Sequence, residues 1–353
     1  MLSIDSLKQH KKNSLINLIA IAIGFGLVSL RSALPGLPIE IGIFILSLVI
    51  LVRAADVFTD IAVVVGEKLG LSKLNTGILI IAIGTSAPEL FSSIGAALQN
   101  QPEMVVGNVL GTVIANCLLG IGIATLFAKQ ALDVHREVLA TQMSIFLASV
   151  LLAGISLYDG HFSRMEGAVL LIVLAYYLRY NIKYANDGSI DLPEEIKEHA
   201  ESESIVPMPM LIGLLLVNLS LLFVSGDFVV SSLSNGAEVM GLSSAKLATS
   251  LLAIGTSIPE IATAIMLVRK NNTDSLFGEI IGSNIFDFLG IFGVIALIKP
   301  ITMSGPLLDF LLIATLATFL LLFVVMNDRK VRKVEGIAML AFFTGFLIQL
   351  ASL

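Results

Sequence analysis

The sequence predicts an all-α polytopic membrane protein: two inverted five-helix repeats that form a ten-helix core, plus one extra N-terminal helix. Composition, apolar segments and an internal duplication support this prediction. Of the 353 residues, 56% are hydrophobic and only 14% are charged, whereas soluble domains carry about 25% charged residues. Most of the surface must therefore face lipid. The sequence has no basic patch with interleaved aromatic residues, so we expect no nucleic-acid partner.

Apolar segments long enough to span a lipid bilayer as helices, about 20 residues each, occur eleven times. They cover roughly residues 14–31, 38–66, 73–98, 104–128, 137–157, 162–183, 207–237, 244–268, 274–298, 304–326 and 334–352. The first segment follows three lysines and resembles the start of a signal peptide. No clear small-x-small cleavage site follows it, which favours a retained helix.

The Lys and Arg residues predict the orientation, because they concentrate in cytoplasmic loops. If the loop at 184–206 is cytoplasmic, 16 of the 21 Lys and Arg residues lie on its side of the membrane and 4 on the other, with Arg53 inside a span. This asymmetry predicts a cytoplasmic N-terminus and a C-terminus on the outside.

The spans and loops predict a division into four parts. These are an N-terminal segment with the extra helix (1–37), a first repeat (38–183), an acidic cytoplasmic loop (184–206) and a second repeat (207–353). The acidic run from Asp187 to Glu203 fits either a solvated linker or a regulatory cation sensor. It lacks the ligand spacing of an EF-hand, which favours the linker.

An internal duplication relates the two halves. Gly-Thr-Ser-Ala-Pro-Glu at 84–89 recurs as Gly-Thr-Ser-Ile-Pro-Glu at 255–260, an offset of 171 residues that also relates Asn116 to Asp287. Each copy contains five predicted helices. Because five is odd, the second copy enters the membrane from the opposite side. Inverted repeats of this kind are typical of secondary transporters, whose ion sites lie where the repeats meet.

Pro88 and Pro259 each interrupt a span that is otherwise helical. A proline removes one backbone donor and clashes with the carbonyl four residues earlier. We expect the carbonyls of residues 82–85 to lack partners and to be available to a cation, since lipid cannot satisfy them. Glu89 and Glu260 follow directly, and a mid-membrane carboxylate costs at least about 2.5 kcal/mol. Two of them at matching positions indicate function.

The next span of each repeat supplies further polar groups, spaced four residues apart and hence on one helix face. With the motif side chains they form a predicted cluster of oxygen ligands: Glu89, Glu260, Asp287, Asn116, Thr85, Thr256, Ser86, Ser257, Thr112 and Ser283. Ca2+ prefers about six to eight oxygen ligands, carboxylates among them. The sequence has no His or Cys cluster suited to zinc or copper, and Cys117 is its only cysteine.

The two motifs, together with Gly-Asn-x-x-Gly-Thr at 107–112 and Gly-Glu-x-x-Gly-Ser-Asn at 278–284, resemble the paired alpha-repeats of the calcium/cation antiporter superfamily. The similarity is closest to prokaryotic sodium/calcium exchangers and covers about residues 38–352. It implies that core helices 2, 3, 7 and 8 line the site, and that the protein lies in the plasma (inner) membrane of a prokaryote. We expect no requirement for an oligomer.

The resemblance also implies ligand roles. A central Ca2+ would be bound by Glu89, Glu260, Thr85, Thr256, Asn116 and Asp287. Flanking Na+ sites would use Ala82, Ser86 and Thr112 on one side, and Ala253, Ser257 and Ser283 on the other.

Two residues depart from the family pattern. Thr112 stands where Ser is usual and keeps the hydroxyl. Glu279 stands where Asn is usual, although its repeat mate Asn108 keeps the pattern. We expect Glu279 either to pair with Arg269 or Lys270, or to titrate and introduce H+ coupling.

These features predict a secondary active antiporter that exchanges Ca2+ for Na+ by alternating access and extrudes Ca2+, without a cofactor or enzymatic activity. Exchange of Ca2+ for H+, or K+-dependent exchange, is the first alternative. A cation channel is an alternative of another class, but paired glutamates in broken helices suit an occluded site better. A hydrolase built on Ser86 or Ser257 lacks an accompanying His or Lys in the motif.

Overall fold

The computed structural model describes residues 13–14, 16–17, 19, 21–24, 26, 28–29, 36–98, 100–183, 206–239, 255 and 257–352. This part of the chain is almost entirely helical. Its helices are α1 (Leu37–Lys68), α2 (Lys73–Leu98), α3 (Pro102–Phe127), α4 (Val138–Tyr158), α5 (Arg164–Lys183), α6 (Met208–Val239), α7 (Ile258–Arg269), α8 (Thr273–Ile298), α9 (Pro306–Met326) and α10 (Lys333–Ser352).

The predicted multi-pass membrane architecture is confirmed. Nine helices in the described ranges are long and apolar enough to cross a bilayer. The described residues between 13 and 29 are helical, within the predicted first span. Much of the predicted span 244–268 and nearly all of the acidic loop 184–206 lie outside the described residues.

The helices begin and end where the sequence gives local signals. Helix α1 follows Gly36 at φ 147° and has Pro38 in its first turn, and the chain after it turns at Gly70 with φ 71°. Proline suits the first turn of a helix, because an N–H group at that position would have no intrahelical partner and its loss costs no hydrogen bond. A positive φ is accessible to glycine without a side-chain clash.

Four two-residue strands were not predicted. They are β1 (Leu132–Asp133), β2 (His161–Phe162), β3 (Ile301–Thr302) and β4 (Lys330–Val331). Strand β1 pairs antiparallel with β4, and β2 pairs antiparallel with β3. An offset of 169 residues maps β1 onto β3 and β2 onto β4. The two sheets are thus equivalent contacts between the repeats, as a two-fold relation requires.

Glycine contacts repeat the same symmetry inside the bundle. A Cβ built on Gly122 of α3 would lie 3.1 Å from the oxygen of Gly336 in α10. A Cβ built on Gly293 of α8 would lie 3.1 Å from the oxygen of Gly167 in α5. Small residues allow the backbones of membrane helices to approach closely. Close packing at glycines is therefore present at both equivalent interfaces.

Helices α3 and α8 form the centre of the molecule. In each, 83% of the most apolar window is buried inside the protein, against at most 44% for the other spans. Helices α1 and α6 lie outside them and pack extensively against each other. Each has 32 residues, about 48 Å, which exceeds the bilayer core of about 30 Å and requires tilt or projection beyond it.

Candidate cation site

The two motif helices break at equivalent serines. Ser86 of α2 has φ −79° and ψ 4°, and Ser257 before α7 has φ −80° and ψ −1°. The helix resumes after each serine with a proline in its first turns. Expecting every carbonyl of residues 82–85 to lack a partner was wrong for Ala82, since the Ser86 N–H donates to its oxygen at 3.0 Å.

Glu89 and Glu260 lie in the first turns of the helical segments that follow these breaks, and both are wholly buried. Within the described residues, neither carboxylate oxygen of Glu260 has a hydrogen-bond partner. The Thr85 hydroxyl lies beside Glu260 but donates to the carbonyls of Ile81 and Ala82, at 3.1 and 3.3 Å. A carboxylate and a hydroxyl that lie side by side in this way suit two ligands of one cation.

Helices α3 and α8 contain π-helical turns at Ala115–Gly120 and Asp287–Ile291. Such turns often occur at functional sites, because the extra residue changes the direction of a side chain. They contain Asn116 and Asp287, which are repeat mates and wholly buried. The Asp287 carboxylate lies beside the Ser86 hydroxyl, yet both of its oxygens lack a hydrogen bond at standard geometry in the described part of the chain.

Asn284 is a residue that sequence reasoning did not place in the site. The Asn116 side-chain amide donates to Oδ1 of Asn284 at 3.2 Å, and Asn284 Nδ2 donates to Sγ of Cys117 at 3.0 Å. This bond fixes the amide of Asn116 and leaves its Oδ1 without a described hydrogen-bond partner. The repeat comparison gave no signal, because the residue equivalent to Asn284 is Val113.

The predicted hydroxyl ligands that the structure describes are wholly buried: Thr85, Ser86, Thr112, Ser257 and Ser283. Ser283 Oγ lies 3.5 Å from the Ala82 oxygen. The expected grouping placed these two residues in different flanking sites, so it differs from the structure on this point. Thr256 and Ala253 lie outside the described residues.

Glu279 on α8 is wholly buried. Its Oε1 accepts from the Thr263 hydroxyl at 3.2 Å. The expected ion pair with Arg269 or Lys270 is absent from the described residues. Lys270 instead binds Asp56 and Asp60 of α1, at 2.9 and 3.0 Å. The Lys270 ammonium group is therefore paired with two carboxylates of α1, and the Glu279 carboxylate accepts a hydrogen bond from Thr263 instead.

No group of three or more His, Cys, Asp or Glu side chains converges on one point in the described ranges. The buried carboxylates are therefore spread along the interface between the repeats, on α2, α7 and α8. A cation there would take carboxylates from different helices together with hydroxyl, amide and carbonyl oxygens. This donor chemistry suits hard cations such as Ca2+ and Na+.

Known proteins resemble this chain in sequence or in structure. The inner membrane protein YrbG of Escherichia coli is 34% identical over 263 residues, which cover 73% of this chain and 79% of YrbG. The sodium/calcium exchanger MaX1 of Methanosarcina acetivorans is 27% identical and covers 87% of this chain and 97% of its own. A structure of the sodium-calcium exchanger NCX_Mj superposes with a TM-score of 0.73 at 26% identity, over 90% of this chain and 100% of that one.

The sequence profile of the family described as "Sodium/calcium exchanger protein" matches residues 39–183 and 210–351. The match includes both motifs and both central helices. The chain therefore belongs to the sodium/calcium exchanger family of integral membrane proteins.

Proposed function

We propose that this protein is a secondary active antiporter that exchanges Ca2+ for Na+ by alternating access and extrudes Ca2+. The observation that carries the proposal is the pair Glu89 and Glu260. Both are wholly buried, both follow a matched helix break, and they are related by the repeat. Burying two carboxylates in a membrane protein without cations to compensate them is costly.

The proposed ligands follow from the positions of the side chains. A central Ca2+ would use the carboxylates of Glu89, Glu260 and Asp287, with Asn116 Oδ1 and the hydroxyls of Thr85 and Thr256. Na+ ions would use the smaller groups: Ala82, Ser86, Thr112, Ala253, Ser257 and Ser283. The contact of Ser283 with the Ala82 oxygen supports a Na+ position that combines α2 with α8.

Alternating access would move α1 and α6 as a pair past the motif helices. Their extensive mutual contact supports movement as one unit. Glu89, Glu260 and Asp287 have no solvent exposure, as expected for an occluded intermediate. An open channel would expose such carboxylates to water. This difference favours a carrier over a cation channel.

We assign the N-terminus to the cytoplasm, the C-terminus to the outside, and the protein to a prokaryotic plasma membrane. The same proposal divides the chain into segments 1–37, 38–183, 184–206 and 207–353. Lys68 Nζ donates to the Val206 oxygen at 2.7 Å. This contact supports placing Lys68 near the cytoplasmic loop.

The co-ion is tested by Ca2+ flux into proteoliposomes with Na+, K+ and H+ gradients imposed one at a time. Ca2+ movement driven by the Na+ gradient alone is the expected result. Movement driven by a pH gradient without Na+ would replace the proposal with Ca2+/H+ exchange, and a K+ requirement would replace it with K+-dependent exchange. Single-protein conductance of a channel type would exclude an antiporter.

A further inference from the structure

Glu279 is an acidic residue in a position where its repeat mate, Asn108, is neutral. It has no solvent exposure. The Thr263 hydroxyl lies 3.2 Å from its Oε1 and 2.9 Å from the main-chain oxygen of Glu260. Oε2 has no hydrogen-bond partner among the described residues. A buried polar atom without a partner is costly, so this oxygen indicates a missing ligand.

The first repeat shows how the equivalent position is satisfied. The Asn108 amide donates to Ser92 Oγ at 3.1 Å and to Ser93 Oγ at 3.0 Å. In the second repeat, Thr263 corresponds to Ser92 and keeps the hydroxyl, but Ala264 corresponds to Ser93 and has none. The second repeat thus combines a charged side chain with one polar neighbour fewer.

The net charge of the buried site also indicates a missing cation. Four acidic side chains are wholly buried: Glu89, Glu260, Glu279 and Asp287. No Lys, Arg or His in the described part of the chain is buried. When all four carboxylates are ionised, one Ca2+ leaves two negative charges uncompensated, whereas asparagine at position 279 would leave one. Uncompensated buried charge is strongly unfavourable, and one monovalent cation would offset the difference.

We propose that Glu279 and Glu260, with the Thr263 hydroxyl, bind a monovalent alkali cation, Na+ or K+, at the same time as Ca2+ is bound. The inference rests on the proposed function, since it assumes Ca2+ in the central site. The two carboxylates repel each other, and a shared cation removes that repulsion. Glu260 is also a proposed ligand of the central Ca2+, so this site lies beside the central one.

A proton is the competing occupant. A proton on Oε1 of Glu279 would hydrogen-bond to Thr263 but would leave Oε2 without a partner. The oxygens of Glu260 also lack hydrogen-bond partners in the described ranges. An alkali cation between the two carboxylates would satisfy oxygens of both residues, which a single proton on Oε1 does not do.

Equilibrium binding to the purified full-length protein at saturating Ca2+ tests the inference. The probes are radioactive Ca2+, radioactive Na+ and the K+ tracer Rb+. We expect the Ca2+-loaded native protein to hold about one more monovalent cation than Glu279→Asn, as the single extra charge requires. Ca2+ binding should persist in the variant. Glu103→Gln, which removes an exposed carboxylate from α3, should bind like the native protein.

The outcomes separate this inference from the proposed function. If the native protein binds Ca2+ but no monovalent cation, the inference is wrong while the proposed function stands. This result does not depend on whether any variant folds. Equal monovalent binding by native protein, Glu279→Asn and Glu279→Gln also overturns it. Release of a proton from Glu279 on Ca2+ binding, in place of alkali-cation uptake, assigns the position to H+ and overturns it as well. Absence of Ca2+ binding by the native protein contradicts the proposed function itself.

Discussion

The ammonium nitrogen of Lys270 lies 2.9 Å from Oδ1 of Asp56, which joins the end of α7 to α1. The same nitrogen lies 3.0 Å from Asp60 Oδ1 and 2.7 Å from Thr59 Oγ1. The residue equivalent to Lys270 in the first repeat is Gln99. The helix that the proposed mechanism moves is thus fastened to the motif helix at this end by a charged contact that the repeat does not duplicate.

We expect Lys270→Gln to release α1. The side chains of Lys270, Asp56 and Asp60 are 26%, 48% and 36% exposed, so solvent screens the contact and limits it to about 1 kcal/mol. That corresponds to an increase of about fivefold in the population with α1 displaced. A cysteine at the buried position Ala62 of α1 should then react about fivefold faster with a membrane-impermeant thiol reagent.

Arg269→Gln is the matched control, because this neighbouring cation is exposed at the same helix end. It should leave the labelling rate of the introduced cysteine unchanged. Equal rates in Lys270→Gln and the native background would show that the contact does not hold α1.

We expect Gly122→Ala to destabilise the protein. The added Cβ would lie 2.9 Å from the Leu340 side chain and 3.1 Å from the Gly336 oxygen, and overpacking of this kind costs about 1–3 kcal/mol. Gly293→Ala should behave similarly, because it meets Leu171 and Gly167. Unfolding can be followed with a thiol-reactive dye, since the only cysteine, Cys117, is buried.

Gly154→Ala in α4 is the control, because a Cβ there meets no atom within 4 Å. It should unfold at or slightly above the native temperature, as alanine is the better helix former. If Gly122→Ala unfolded together with this control, the close approach of α3 and α10 would not contribute to stability.

The turn before β4 should loosen in acid. Hydrogen bonds from the Arg332 side chain and the Lys330 N–H lower the pKa of the Asp328 carboxyl. Since the folded pKa is lowered, the contribution of this carboxylate is complete at neutral pH and is lost as pH falls through the folded value. After correction for intrinsic rates, hydrogen exchange at Lys330 should accelerate at low pH.

Asp328→Asn should already show the faster exchange at neutral pH, because the charge-assisted contact with Arg332 is gone. The variant should also lose most of the pH dependence. Identical exchange at Lys330 in the variant and the native protein across this range would exclude a role for the carboxylate.

Proline and repeat patterns predicted the broken helices and the candidate ligands. Pro88 and Pro259 located the breaks at Ser86 and Ser257, because the effect of proline on a helix is local. The spans were also predictable, since apolar length depends on composition alone. Local signals of this kind predict which residues lie at the breaks, whereas the ligand roles of all the site residues stay predictions.

Other features depend on contacts between distant residues, and the sequence does not encode them locally. Strands β1 to β4 have two residues each and exist only because the repeats bring them together. The ion pair of Glu279 with Arg269 or Lys270, one of the two expectations for Glu279, is absent from the described residues for the same reason. Glu279 and Lys270 are near each other in sequence, which suggested an ion pair. In the folded chain, Lys270 contacts Asp56 of α1 and Glu279 contacts Thr263.

The exchange of Ca2+ for Na+ at a site shared by the two repeats is tested most directly by Na+-driven Ca2+ flux in proteoliposomes. Glu89→Gln, Glu260→Gln and the exposed control Glu103→Gln should be compared at equal amounts of folded protein. We predict native flux in the control and flux at the level of protein-free vesicles in both site variants. Full Na+-driven flux in Glu89→Gln or Glu260→Gln would contradict the account.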